Sequence, residues 1–133
     1  MNVIKVPLSA GITGFESPAN DYKLSSISLD ELLIRNPNST WIGKASGDSM
    51  QDVGIFDGDL LIVDRQAQTL HNSVIVANLN GEFVCKILDK ERRLLLSANE
   101  KYQPVPITEH DHFTLEGVVI HSVRLHSPCM LGE

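Results

Sequence analysis

The stretch Val74-Ile75-Val76-Ala77-Asn78-Leu79-Asn80-Gly81-Glu82-Phe83-Val84-Cys85-Lys86-Ile87-Leu88 decides the fold class. Two apolar runs are separated by Asn80-Gly81, the residue pair that best accepts the positive φ values of a tight two-residue turn. The spacing predicts an antiparallel hairpin with strands over 73–79 and 82–89. Similar runs continue it on both sides: Trp41 to Ala45, Leu60 to Asp64, Arg92 to Ser97 and Thr114 to Leu125. Turn residues separate nearly every pair, with Asp57-Gly58-Asp59 and Asp89-Lys90-Glu91 marking further reversals. A mainly β, mostly antiparallel compact domain is expected.

The one helical signal lies upstream. Ser28-Leu29-Asp30-Glu31 has capping-box spacing and leads into Leu32, Leu33 and Ile34, which predicts one short helix ending near Asn36-Pro37. Before it, Pro7, Gly11, Gly14 and Pro18 interrupt any period. Residues 1–26 are therefore expected to form a flexible N-terminal arm, and residues 27–133 a β-rich domain.

The chain has 133 residues, the size of one domain, and its 42% apolar and 21% charged residues match an ordinary globular protein. The longest apolar runs, such as Leu60-Leu61-Ile62-Val63, fall far short of the roughly 20 residues needed to cross a bilayer. The first residues lack a continuous apolar segment of the secretory type, so a cytoplasmic location is expected. The net charge of −6 includes only one basic cluster, Lys90 with Arg92 and Arg93, which disfavours sequence-specific DNA binding. Cys85 and Cys129 show no paired spacing, and Cys85, inside an apolar strand, reads as a small hydrophobe.

Two residues point to chemistry. Ser49 sits in the turn Gly47-Asp48-Ser49-Met50, and Lys86 lies in the apolar strand between Val84 and Leu88. A serine needs a base to become a nucleophile, and an ordinary lysine is too basic to serve. Desolvation disfavours the ammonium form, so a lysine in this setting can have its pKa lowered far enough to deprotonate Ser49. Gly47 permits a sharp backbone approach, and the N–H groups of Asp48 and Ser49 are candidate oxyanion donors. The competing reading is structural: Ser49 as a turn residue, Lys86 reaching to solvent.

Taken jointly, Lys44-Ala45-Ser46-Gly47-Asp48-Ser49-Met50, Gly54-Ile55, Asp57 to Asp64, Gly81-Glu82-Phe83, Lys86 and Gly117-Val118-Val119-Ile120-His121 resemble the UmuD-like SOS mutagenesis proteins. These belong to the LexA/UmuD self-cleaving Ser-Lys peptidases, the S24 family. The resemblance implies a LexA/UmuD-like catalytic β domain with Ser49 as nucleophile and Lys86 as general base. It also implies a homodimer, self-cleavage stimulated by a RecA–single-stranded DNA filament, and association of the trimmed form with a UmuC-type translesion polymerase. No cofactor and no metal is implied.

Proteins of this kind cut themselves between a small residue and a glycine that opens a Gly-Phe-x-Ser-Pro-Ala segment. Here that segment is Gly14-Phe15-Glu16-Ser17-Pro18-Ala19, which puts the bond at Thr13-Gly14. Threonine departs from the cysteine or alanine usual in the family, and Ala10-Gly11 offers the usual pair three residues earlier. About 14 residues separate the bond from the helix cap and can span roughly 45 Å, enough for the arm to reach its own Ser49 or a partner's.

Other polar residues carry less. His110-Asp111-His112 lacks a third ligand at zinc-like spacing and reads as a solvated loop. Asp57 and Asp59 read as turn chemistry, His121 as structural, and Trp41 as a core or interface anchor. A LexA-type repressor would need a helix-turn-helix for which the arm before Ser28 has no room, and a signal peptidase would carry a membrane anchor. The remaining rival is a non-enzymatic protein-binding module of the same fold.

Overall fold

The Asn80-Gly81 hairpin forms as its turn chemistry requires. In the computed structural model, which describes residues 3–4, 24–25 and 28–128, Asn80 and Gly81 adopt φ values of 54° and 91°. The Asn78 side chain accepts from the Gly81 N–H at 2.9 Å, and Leu79 stands opposite Glu82. The chain divides into two compact units, Met1–Arg35 and Asn36–Glu133.

In the first unit β1 (Val3–Ile4) pairs antiparallel with β2 (Leu24–Ser25), with Ile4 opposite Leu24. Both candidate cleavage bonds, Thr13-Gly14 and Ala10-Gly11, fall between these strands and lie outside the described residues. Helix α1 (Leu29–Leu33) starts where the capping pattern placed it: Ser28 Oγ accepts from the Glu31 N–H at 3.2 Å. One turn and a half is below the length at which a helix is stable alone. It ends at Ile34, whose N–H reaches Asp30 O at 2.8 Å. Among the described residues no helix is long and apolar enough to cross a membrane.

The second unit is a seven-stranded antiparallel sheet. Its strands are β3 (Thr40–Lys44), β4 (Leu60–Asp64), β5 (Val74–Leu79), β6 (Glu82–Asp89), β7 (Leu94–Leu96), β8 (Val105–Pro106) and β9 (Phe113–Val123), in the order β3-β4-β9-β5-β6-β7-β8. Each strand expected in this region is present within a few residues of its expected ends. The short β8 is an addition, formed by pairing Val105 with Leu95 at the edge of the sheet.

Alternation along the strands feeds two apolar clusters. Val76, Cys85 and Ile87 pack with Met50, Ile55, Leu61 and Val63, whereas Ile75, Ala77, Val84 and Leu88 pack with Leu95. Val63 and Ile75 are wholly buried, each worth about 2 kcal/mol in transfer free energy.

The sheet is strongly curled. Four strand spacings separate β3 from β6, which at about 4.8 Å each would hold them about 19 Å apart in a flat sheet. Yet the rings of Trp41 on β3 and Phe83 on β6 meet edge to face with centroids 6.4 Å apart. The bend has a local cause in β9, whose register slips once against β5 and once against β4, as bulges do when they sharpen strand twist. At the first slip the extra residue, Glu116, turns its carbonyl to Trp41 Nε1 at 3.1 Å. Its neighbour Gly117, at φ 143°, leaves no room for a side chain: a Cβ there would lie 2.7 Å from Val63 Cγ1 and 3.0 Å from Asp64 O.

Candidate active site

Ser49 lies in the long connection between β3 and β4. That connection is closed at its base by two backbone hydrogen bonds, Ala45 N to Asp59 O and Gly58 N to Ala45 O, both 2.8 Å. Gly47 adopts φ 86°, a value other residues rarely take. Its N–H donates to Asp57 Oδ1 at 2.7 Å. Asp57 is thus a turn residue with a second task, holding the backbone two positions ahead of Ser49. Among the described residues neither the hydroxyl nor the N–H of Ser49 meets a hydrogen-bond partner. The Asp48 N–H, by contrast, faces its own carboxylate.

Lys86 reaches the same place from β6. It stands opposite Ile75, a residue with no exposed surface, and is itself half-buried. Its Nζ donates to Ser97 Oγ at 2.8 Å and lies 5.6 Å from the centroid of the Tyr102 ring. Among the described residues no carboxylate pairs with it. A hydroxyl acceptor and an aromatic face return about 1 kcal/mol each, whereas withdrawing an ammonium from water costs several. Partial exposure trims that penalty without cancelling it, and burial holds Lys86 below the ordinary lysine pKa.

Because the sheet curls, these two elements share a cavity of about 390 Å³. Ser49 and Lys86 both line it, with Gly43, Ala45, Ser46 and Gly47 on one side and Val84 and Cys85 on the other; Trp41, Met50 and Phe83 add apolar surface. Cys85 brings a thiol to the same lining. Burial pushes its thiol up to about 11, so at neutral pH it carries almost no thiolate.

Residues 97–102, of which the sequence marks only Ser97, as the end of a strand, brace the site. Besides Ser97, the Ala98 carbonyl accepts from Asp52 N at 2.8 Å and Asn99 Nδ2 donates to Asp48 O at 2.9 Å. Lys101 Nζ and the Tyr102 hydroxyl both bind the Asp48 carboxylate, holding its carboxyl below the usual range. One signal was available. Extending the β6–β7 register beyond Ile87 opposite Leu96 puts Ser97 opposite Lys86.

Asp59 and Asp111 are bonded into the fold. Asp59, 2% exposed, accepts from Arg124 Nε and Nη2, each at 3.0 Å, and from Phe56 N at 2.9 Å. Asp111 accepts from Asn80 Nδ2 at 3.0 Å and from Thr108 N at 2.8 Å. Among the described residues no group of three His, Cys, Asp or Glu is arranged to hold a metal.

The Peptidase S24-like family pattern matches residues 3–120. The chain is 38% identical over 120 residues to protein MucA of Salmonella typhimurium, covering 88% of this chain and 82% of that protein. It is 36% identical over 112 residues to protein SamA of Salmonella typhimurium strain LT2, covering 84% and 80%. The LexA repressor of Stenotrophomonas maltophilia is 32% identical over 130 residues, which span 92% of this chain and 59% of the repressor. A curled antiparallel sheet, a serine turn beside a half-buried lysine, and these matches over most of its length agree: the chain belongs to the Peptidase S24-like family, among its UmuD-like members.

Proposed function

We propose that this protein is a self-cleaving serine endopeptidase of the SOS response, with Ser49 as nucleophile and Lys86 as general base. One observation carries the reading: a serine hydroxyl with no hydrogen-bond partner among the described residues and a half-buried lysine whose pKa burial lowers line one cavity. Neutral Lys86 takes the Ser49 proton as Oγ attacks the carbonyl carbon of the scissile bond. The resulting oxyanion is met by backbone N–H groups at Asp48 and Ser49, of which the Ser49 N–H has no competing acceptor among the described residues. The Lys86 ammonium then returns its proton to the leaving glycine nitrogen as the C–N bond breaks. Water, deprotonated by Lys86, hydrolyses the ester and frees Ser49.

The substrate in this reading is the protein's own N-terminal segment, at Thr13-Gly14 by register, with Ala10-Gly11 as the competing bond. Intramolecular delivery raises the effective concentration of the bond, so a slow nucleophile suffices. UmuD-like family membership supports the wider reading: a homodimer, stimulated by a RecA–single-stranded DNA filament, whose trimmed form is an accessory subunit of an error-prone, UmuC-type translesion polymerase.

Purified protein incubated across a pH series and followed by intact mass tests the core of this. Cleavage should accelerate as pH rises and Lys86 loses its proton, and Ser49→Ala and Lys86→Ala should stay intact. Mass separates a product beginning at Gly14 from one beginning at Gly11. Equal cleavage in the alanine variants would refute the dyad, and no cleavage at any pH, with or without the filament, would leave the binding-module alternative.

A further inference from the structure

We infer that Ser97 is a positioning residue of this site: its hydroxyl accepts a hydrogen bond from Lys86 Nζ and fixes the direction in which the amine faces the cavity shared with Ser49. The inference rests on the Ser-Lys reading above and deepens it.

The geometry comes from three places. The hydrogen bond is 2.8 Å long, and the β6–β7 ladder, running through Leu88 opposite Leu95 and Ile87 opposite Leu96, brings Ser97 across from Lys86 at its next step. Cross-strand neighbours have Cβ atoms about 5 Å apart, a span that a serine and the bent stem of a lysine can close. Ser97 is also rigidly mounted. Leu95 is 1% exposed and Ala98 8%, so the backbone on both sides of it is anchored in the two apolar clusters.

The same short segment holds the serine turn. The Ala98 carbonyl accepts from Asp52 N, and Asn99 Nδ2 donates to Asp48 O, so residues 97–99 grip the base and both flanks of the nucleophile in one frame. A neutral amine has two N–H bonds and one lone pair. Donating one N–H to Ser97 and resting beside the Tyr102 ring restricts rotation about the last bond of the side chain, which leaves the lone pair free for the Ser49 proton. A loose lysine stem would sample many directions, and misplacement by about 1 Å costs as much as a hundredfold in rate.

A hydroxyl that accepts from the ammonium also favours the charged form. Removing it should therefore do two things together. In Ser97→Ala the rate plateau at high pH should fall by about tenfold, and the inflection of the pH–rate profile should move to lower pH. Ser97→Thr, which keeps the hydroxyl, should restore both. A general loss of packing would lower the rate without moving the inflection. The Lys86 Cε chemical shift, titrated by carbon NMR in wild type and Ser97→Ala, gives the same shift without relying on cleavage, and circular dichroism checks that the variant is folded. A Lys86 titration that stays in place in Ser97→Ala overturns the assignment. Cleavage that survives Lys86→Ala overturns the underlying dyad instead, so the two failures are distinct.

Discussion

Two lysines approach the ring of Tyr102, each with its Nζ 5.6 Å from the ring centroid, and their proton affinities move in opposite directions. Lys101 is exposed and paired with the Asp48 carboxylate, which raises its pKa. Lys86 is half-buried, and its hydrogen-bond acceptor is the neutral hydroxyl of Ser97, so burial lowers its pKa. The ring contact is common to both, and Tyr102 adds to the rise at Lys101 only after the Asp48 carboxylate. What sets the difference is whether a carboxylate offsets the loss of water. One segment of chain presents a carboxylate-paired lysine to solvent and braces against the cavity one whose pKa burial lowers.

The largest effect should come from replacing each lysine by arginine. A guanidinium stays charged beyond any usable pH, so Lys86→Arg should reduce self-cleavage by about a hundredfold or more up to pH ~10. Lys101→Arg keeps the pair with Asp48 and should cost less than about fivefold. Intact-mass time courses of the two variants decide it. Comparable losses would mean that Lys101 belongs to the reaction as much as Lys86.

A second test carries the contrast between exposed and buried pairing to the carboxylates. Asp59 is buried against Arg124, whose hydrogen bonds hold its carboxyl below the usual range, whereas Asp48 faces solvent. Asp59→Asn should lower Tm by about 5 °C at neutral pH, and Asp48→Asn by less. The sign follows from the depressed folded pKa. The Asp59 contribution is complete above the ordinary aspartate value of about 3.9 and is lost as pH falls through the lower folded value. Thermal unfolding at pH 7 and pH 3 should thus show a gap between wild type and Asp59→Asn that narrows in acid.

The smallest effect sharpens the comparison most. Asp48→Asn should return Lys101 toward the ordinary lysine pKa, a downward shift, and lower the raised Tyr102 pKa as well. Lys86 should keep its own titration, because burial and not Asp48 perturbs it. Carbon NMR of the lysine Cε positions reads both at once. A Lys86 titration that follows Lys101 would show that the two amines form one coupled system.

The sequence carried most of the strand pattern because its signals are local. Alternation in β5 and β6, Asn80-Gly81 between them, and Ser28 three residues before Glu31 each act over a few residues. β8 escaped because Val105-Pro106 is too short to show a period and is a strand only through its pairing with β7. Asp57 and Asp59 looked alike as turn carboxylates. Their partners separate them: Asp57 holds Gly47, and Asp59 holds Arg124, 65 residues away. Tyr102 and Lys101 sit in a polar loop with nothing in the local chain to connect them to Asp48.

By itself, then, the sequence determined the antiparallel strands, the sharp turn at Gly47, the apolar setting of Lys86, and the pairing of Ser49 with Lys86 as candidates for one reaction. Tertiary structure alone decided that they share a cavity. Four strand spacings separate β3 from β6, and only the accumulated twist of the sheet, released at the bulges of β9 beside Gly117, folds one wall onto the other. It also decided the proton affinity of Lys86. Desolvation is summed over every neighbour in space, including Ile75 across the strand, and the hydroxyl that holds the amine comes from Ser97 on another strand's end, where no local pattern reaches.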